Sequence, residues 1–280
     1  MRIIWNLCLI LLLSLWGAAG ATAGPLAERM AQFPDWQNKP PVKAAQGDLI
    51  YPDWMAGTWR VTSTLVDTVA PLAPALVTPG FEGNRQYLNQ PVTFPVRFVG
   101  EISLKRRTLN ANLFTPLFNT LVNKNLTLQP ATTKGQAVKT GPVVADRAFN
   151  GLSIARAYLG ESAVSSVKVD PDSPSRQITQ LRGGSQLVSV VTGRASETPA
   201  ADQFIATEVS QQVFRGGTTL YFNEVETTTS YQQQSLEMPL IQAQQVSAIY
   251  LSPQDPDYFA ANGRPVALYR YNLELLPAAD

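Results

Sequence analysis

The sequence predicts an all-β fold, a single antiparallel barrel of about nine or ten strands with one helix. Three observations carry this. Apolar and polar residues alternate with period two in run after run of the chain, which puts one face of each strand inward. Gly-Gly turns stand between such runs, in Arg182-Gly183-Gly184-Ser185 and Arg215-Gly216-Gly217-Thr218, where tight hairpins need positive φ. Only Asp146 to Leu159 shows sustained helical spacing. With 280 residues, 45% of them hydrophobic and 15% charged, the chain can bury a core and is too apolar for disorder.

From the N-terminus, Arg2 precedes an apolar centre, Leu7 to Trp16, and then small residues up to Gly24, including Ala21-Thr22-Ala23. This is the layout of a secretory signal peptide over residues 1–23, cut after Ala23. The alternative is an uncleaved anchor, because the uncharged run up to Glu28 is long enough to span a bilayer. No later segment is. Cys8, in the leader, is the only cysteine, so a processed chain has no disulfide, thiolate nucleophile or iron–sulfur cluster. Export without disulfides fits a periplasm or a thylakoid lumen. The formal charge is +1 and there is no histidine. Near-neutrality removes any global field for nucleic acid. The missing imidazole excludes Ser-His-Asp and Cys-His catalysis and His-ligated haem or zinc.

Residues 24–47 read as an arm. Phe33-Pro34-Asp35-Trp36, echoed by Tyr51-Pro52-Asp53-Trp54, suits a turn that tucks an indole against a body. Residues 48–280 read as the barrel domain. Thr58 to Thr68 is its first strand, with Trp59, Val61, Ser63 and Leu65 on one face. Residues 70–91, rich in proline, form a long connection whose Leu72, Leu76, Val77, Phe81 and Tyr87 predict packing, as in a lid. Val92, Phe94, Val96 and Phe98 mark a second strand, and Ile102 to Leu109 a third. After the helix, strands are expected near 162–169, 175–181, 186–194, 203–214, 218–231, 239–251 and 265–275. The glutamine-rich stretch from Gln232 to Gln245 is expected to be a hairpin with a polar outer face.

Gly57-Thr58-Trp59 at the head of the first strand resembles the Gly-x-Trp start of calycin barrels, the lipocalin and fatty-acid-binding group. The resemblance implies a calycin-like barrel in which Trp59 closes the base and Arg270, in the last strand, packs across it, so Gly57, Trp59 and Arg270 would be structural. It also places the 70–91 loop, with Leu72, Leu76, Phe81 and Tyr87, over a cavity mouth. A second resemblance is closer. Leu49 to Trp59, Ala73-Pro74, Thr78-Pro79-Gly80-Phe81 and Asp146-Arg147-Ala148-Phe149-Asn150-Gly151 resemble an uncharacterised family of cyanobacteria and plant plastids. That implies a lumenal or periplasmic protein of photosynthetic cells and implies no activity.

Arg85, Arg97, Arg106, Arg107, Arg147 and Arg156 would receive an anionic head group if they pointed inward. Arg97 is the most informative of them: it faces away from Phe94, Val96 and Phe98 unless Pro95 makes a bulge. Glu224 and Glu226 share one strand face, at acid–base spacing or on a polar outer surface. Asp170-Pro171-Asp172 and Asp255-Pro256-Asp257 fit turn chemistry better than a calcium loop. No catalytic residue, metal or cofactor is assigned. The favoured function is binding a small hydrophobic molecule (lipid, quinone or pigment) inside the barrel. A protein-binding assembly factor for a photosynthetic membrane complex comes second, and a calycin-type pigment enzyme third.

Overall fold

The computed structural model describes residues 23–78, 80–102, 141–216, 219–235 and 240–278. The leader with Cys8, the 103–109 part of the expected third strand, Arg106 and Arg107 lie outside the described residues. The strands are β1 (Lys43–Ala44), β2 (Ile50–Tyr51), β3 (Gly57–Val69), β4 (Pro91–Gly100), β5 (Val143–Ala145), β6 (Val164–Asp170), β7 (Ser173–Leu181), β8 (Gln186–Glu197), β9 (Gln203–Gly216), β10 (Thr219–Ser235), β11 (Leu240–Leu251) and β12 (Ala267–Pro277). The helices are α1 (Pro25–Ala31), α2 (Phe81–Arg85), α3 (Arg147–Leu159) and α4 (Tyr258–Ala261).

The strands form one antiparallel sheet in the order β2-β5-β4-β3-β12-β11-β10-β9-β8-β7-β6, with β1 added beside β8. The sheet curls into a half-barrel. Among the described residues no hydrogen bonds join β6 to β2 or β4, so the described strands do not by themselves close into the expected barrel. Helix α3 takes that place, packing on β4 at one side and on β6 and β7 at the other. The sequence undercounted the strands, because β1, β2 and β5 are two or three residues long and too short to show a period.

Alternation sorts the side chains cleanly. Trp59, Val61, Phe94, Val96, Phe98, Phe204, Ile241, Leu273 and Leu275 are buried together on the inner face. The outer face carries Val246, Ala248, Tyr250 and Leu268, buried under Trp36 with Met30 and Phe33 of the arm. The arm is therefore an ordered layer, and Trp36 is the tucked indole that the sequence predicts, only 2% exposed. Gly57 opens β3 at φ +133°, a conformation that disfavours a side chain. Gly183 and Gly184 turn β7 into β8 at φ 82° and 86°.

Candidate functional site

The inner face and α3 frame a half-open cavity of about 260 Å³. Period two on the strands and the i, i+4, i+8 stripe on the helix supply its wall. Its floor is apolar: Val61 of β3, Phe94, Val96 and Phe98 of β4, and Leu273 and Leu275 of β12. One step along the same strands, Ser63 and Tyr271 replace the apolar residues, joined by Gln245 and Ser247 of β11. From the helix come Asn150, Ile154 and Tyr158. The Tyr158 hydroxyl donates to Ser63 Oγ at 3.0 Å.

The helix is held in place by its first turn and a half. Asp146 caps it, accepting from the Phe149 amide at 3.2 Å, and pairs with Arg97 Nη2 at 2.6 Å. The Arg97 guanidinium lies 4.2 Å from the Phe149 ring centroid. Asn150 brackets the Arg97 backbone, its Oδ1 accepting from the Arg97 amide at 2.6 Å and its Nδ2 donating to the Arg97 carbonyl at 3.1 Å. Arg147 donates to Asp48 Oδ1 at 3.0 Å and Glu208 Oε1 at 2.5 Å. Gly151 lies directly against the Gln177 carboxamide of β7, so a side chain there would have to displace it. The run from Asp146 to Gly151 is thus a docking device for the cavity roof.

Electrostatics at the site favour neutral hydroxyls. Burial pushes Tyr231 up to about 12, and burial with the nearby Tyr158 and Tyr269 rings raises Tyr271 further. Tyr51 is also raised well above its ordinary value, first by burial and then by Tyr231 and Glu208. Burial opposes the Arg147 charge, but Glu208, Tyr51 and Asp48 outweigh it, so Arg147 is held cationic more firmly than usual. Arg194, which shares Glu208 at 3.2 Å, is lowered, chiefly by burial.

The residues singled out in the sequence go to several places. Gly57 and Trp59 stand at the floor end, where Trp59 Nε1 donates to the Met55 carbonyl at 2.8 Å. Arg270 does not pack across Trp59. It sits beside Asp67 at 3.1 Å and over Phe33 at 4.6 Å, on the outer face and roughly 26 Å away along β3. Phe81 belongs to a buried cluster with Leu65, Ala267 and Tyr269, against which Tyr271 also packs, and it does not line the cavity. Leu72 and Leu76 pack around α4 with Leu251, Ala261 and Val266. Tyr87 is 51% exposed, and none of these lid residues or Arg97 lines the cavity. No bulge forms at Pro95, since the β3–β4 register is unbroken. Arg97 therefore faces outward, as period two requires.

Of the other arginines considered as anion receptors, Arg85, Arg147 and Arg156 also have carboxylate partners. Glu226 is 0% exposed and bonded to Arg29 of the arm, while Glu224 pairs with Lys39. Both serve structure. Asp170 and Asp255 accept from the amides two residues on, at 3.0 and 2.9 Å, which is turn chemistry. Among the described residues no group of three or more acidic, His or Cys side chains is placed for a metal, and no helix is long and apolar enough to cross a membrane.

The sequence reading missed the wall residues Ser63, Asn150, Tyr158, Gln245, Ser247 and Tyr271 as a group. Gln245 corrects the glutamine-rich hairpin: Gln242 and Gln244 are exposed, but Gln245 shares its face with buried Ile241 and Ala243 and looks inward. The usable signal was polar residues at inward positions of an otherwise apolar alternation. Neither a curated protein nor a solved structure matches the chain. The model of a domain of unknown function (DUF6816) matches residues 43–279, from β1 through β12, and the chain belongs to that family.

Proposed function

We propose that this protein binds a small, mainly apolar molecule between the inner face of its half-barrel and α3, as an exported, lipocalin-like carrier. The observation that carries the reading is the cavity of about 260 Å³ with an apolar floor and a ring of polar groups. That is the usual make-up of a small-molecule site, with a volume just below the roughly 300–1,000 Å³ range. It suits one ring or a short chain segment of a lipid or quinone, with the rest of a larger guest outside. The leader layout supports export, and the sequence resemblance supports a periplasm or thylakoid lumen.

Purifying residues 24–280 from the native host, extracting with organic solvent and recording mass and absorbance spectra tests the reading. A stoichiometric guest, lost when Ile154→Trp fills the cavity, is expected. A clean, empty protein that also takes up no added lipid or quinone overturns it. A second reading has its own observation: Phe214, Leu220, Tyr221 and Phe259 are exposed at the sheet end that holds the β9–β10 turn and α4, Phe259 by 87%. Such a surface suits a protein partner in a photosynthetic membrane complex. Crosslinking in native membranes would then trap a partner at that end.

A further inference from the structure

Resting on the binding reading, we infer that the guest is an uncharged amphipathic molecule whose apolar body fills the cavity floor and whose carbonyl oxygen is held by the hydroxyls of Ser63 and Tyr271. The apolar and polar parts of the cavity follow the strand register. Val61 of β3 stands opposite Leu275 of β12 and Ser63 opposite Leu273, while Tyr271, paired with Gln245 of β11, lies one inward position beyond Leu273. A molecule filling both halves must therefore be apolar at one end and polar at the other.

The polar half offers donors. Ser63 Oγ accepts from Tyr158, which leaves its own proton without an acceptor among the described residues. The Tyr271 hydroxyl likewise donates to no described residue, and burial keeps it protonated. Both hydroxyls face the half-open cavity, where water or a guest can satisfy their protons. A carbonyl oxygen, with two lone pairs, can accept from both.

The same walls argue against a charged guest. Among the described residues none that lines the cavity is acidic or basic. The cations behind the wall are already taken, Arg97 by Asp146 and Arg147 by Asp48 and Glu208. A fatty-acid carboxylate would enter without a counter-charge, and an alkylammonium would meet no anion; each would lose its hydration uncompensated. A neutral ketone, ester or quinone ring loses far less.

The test uses the chain of residues 24–280 and isothermal titration calorimetry at neutral pH. The probes are 2-octanone, methyl octanoate, octanoate and octylammonium, matched in chain length. The expected result is that the ketone and ester bind at least about tenfold tighter than both ions. Tyr271→Phe is expected to weaken the ketone about three- to tenfold, while 1-octene, which accepts no such bond, is unaffected. Octanoate binding as tightly as the ketone would overturn the inference and leave the binding reading standing. If no probe binds, 1-octene included, the binding reading falls too. Because the probe series is run on the unaltered chain, the outcome does not depend on whether a variant folds.

Discussion

Arg29→Met tests whether the arm is part of the folded core. Arg29 reaches from α1 across the outer face to Glu226, with Nε and Nη2 each 2.6 Å from a carboxylate oxygen. Glu226 is fully buried and also accepts from the Tyr250 hydroxyl at 2.8 Å and the Thr228 hydroxyl at 2.7 Å. The guanidinium lies 3.9 Å from the Trp36 ring centroid. Removing one partner of a buried pair costs about 3–5 kcal/mol, and the two remaining donors place this case near 3. Loss of the contact with Trp36 adds about 1 kcal/mol. A domain of this size loses about 2–4 °C per kcal/mol, so Tm should fall by about 8–16 °C. Thermal unfolding is followed by circular dichroism and by tryptophan fluorescence, which reports on Trp36 together with Trp54 and Trp59. Replacing both partners, as Arg29→Met with Glu226→Leu, should recover most of the loss, since no charge is then left buried. A loss below about 1 kcal/mol for the single change, or a double variant no better than the single, would refute the account of a desolvated pair.

Three further outcomes follow from the same physics. Asp146→Ala removes a helix cap and the Arg97 ion pair and should lower stability by about 1–3 kcal/mol, read from the urea midpoint. Gly57→Ala forces a side chain onto φ +133° and should cost about 1–3 kcal/mol, whereas Gly83→Ala, in an open site of α2, should be neutral or mildly stabilising. Tyr231, raised by burial from 10.0 to about 12, gives a pH dependence of definite sign. The unfolded chain releases that proton first, so stability is intact below about pH 10 and declines from there to about 12; Tyr51 and Tyr271 act in the same direction. Denaturant midpoints that stay flat across that window would refute it.

How far the sequence could be read depended on strand length and on what lay opposite each face. Long strands such as β3 and β10 announced themselves through alternation, and the helix through its spacing and the terminal Gly160. The two-residue strands had no period to show. Barrel closure was beyond reach, because edge pairing is decided by partners far away in the chain. Here α3, seated by Asp146, Arg147 and Asn150, packs on β4 at one side and on β6 and β7 at the other. Glu226 illustrates the limit for sites. Its alternation with Glu224 left acid–base spacing and a polar outer surface both open; in the fold it lies on the outer face, yet is 0% exposed. Only the fold reveals that Arg29, from an arm with almost no pattern, buries that face. Arg270 and Trp59 were linked by resemblance alone, and the β3–β12 register separates them. The cavity collar was hidden because Ser63, Gln245 and Tyr271 are polar residues at inward positions, where pattern reading counts them as noise.

The helix that roofs the cavity is anchored more heavily in its N-terminal half, and this predicts which end opens first. Its N-terminal half holds Asp146, Arg147 and Asn150, each bonded to β4, β9 or the segment before β2. Its C-terminal half has the Tyr158–Ser63 bond and a pair between Arg156 and an exposed Glu161. There Tyr158 is 45% and Leu159 57% exposed. Opening free energies differ along a chain according to such anchoring. Amides of Arg156 to Leu159 should therefore exchange on the order of tenfold faster than those of Asn150 to Ser153. Tyr158→Phe should speed exchange in the first group alone, while Asn150→Ala should speed both, because the anchor at the fixed end is lost. Uniform exchange along the helix would mean that it moves as a rigid roof, and the path into the cavity would then have to lie along the polar side at Tyr271 and Ser247 instead.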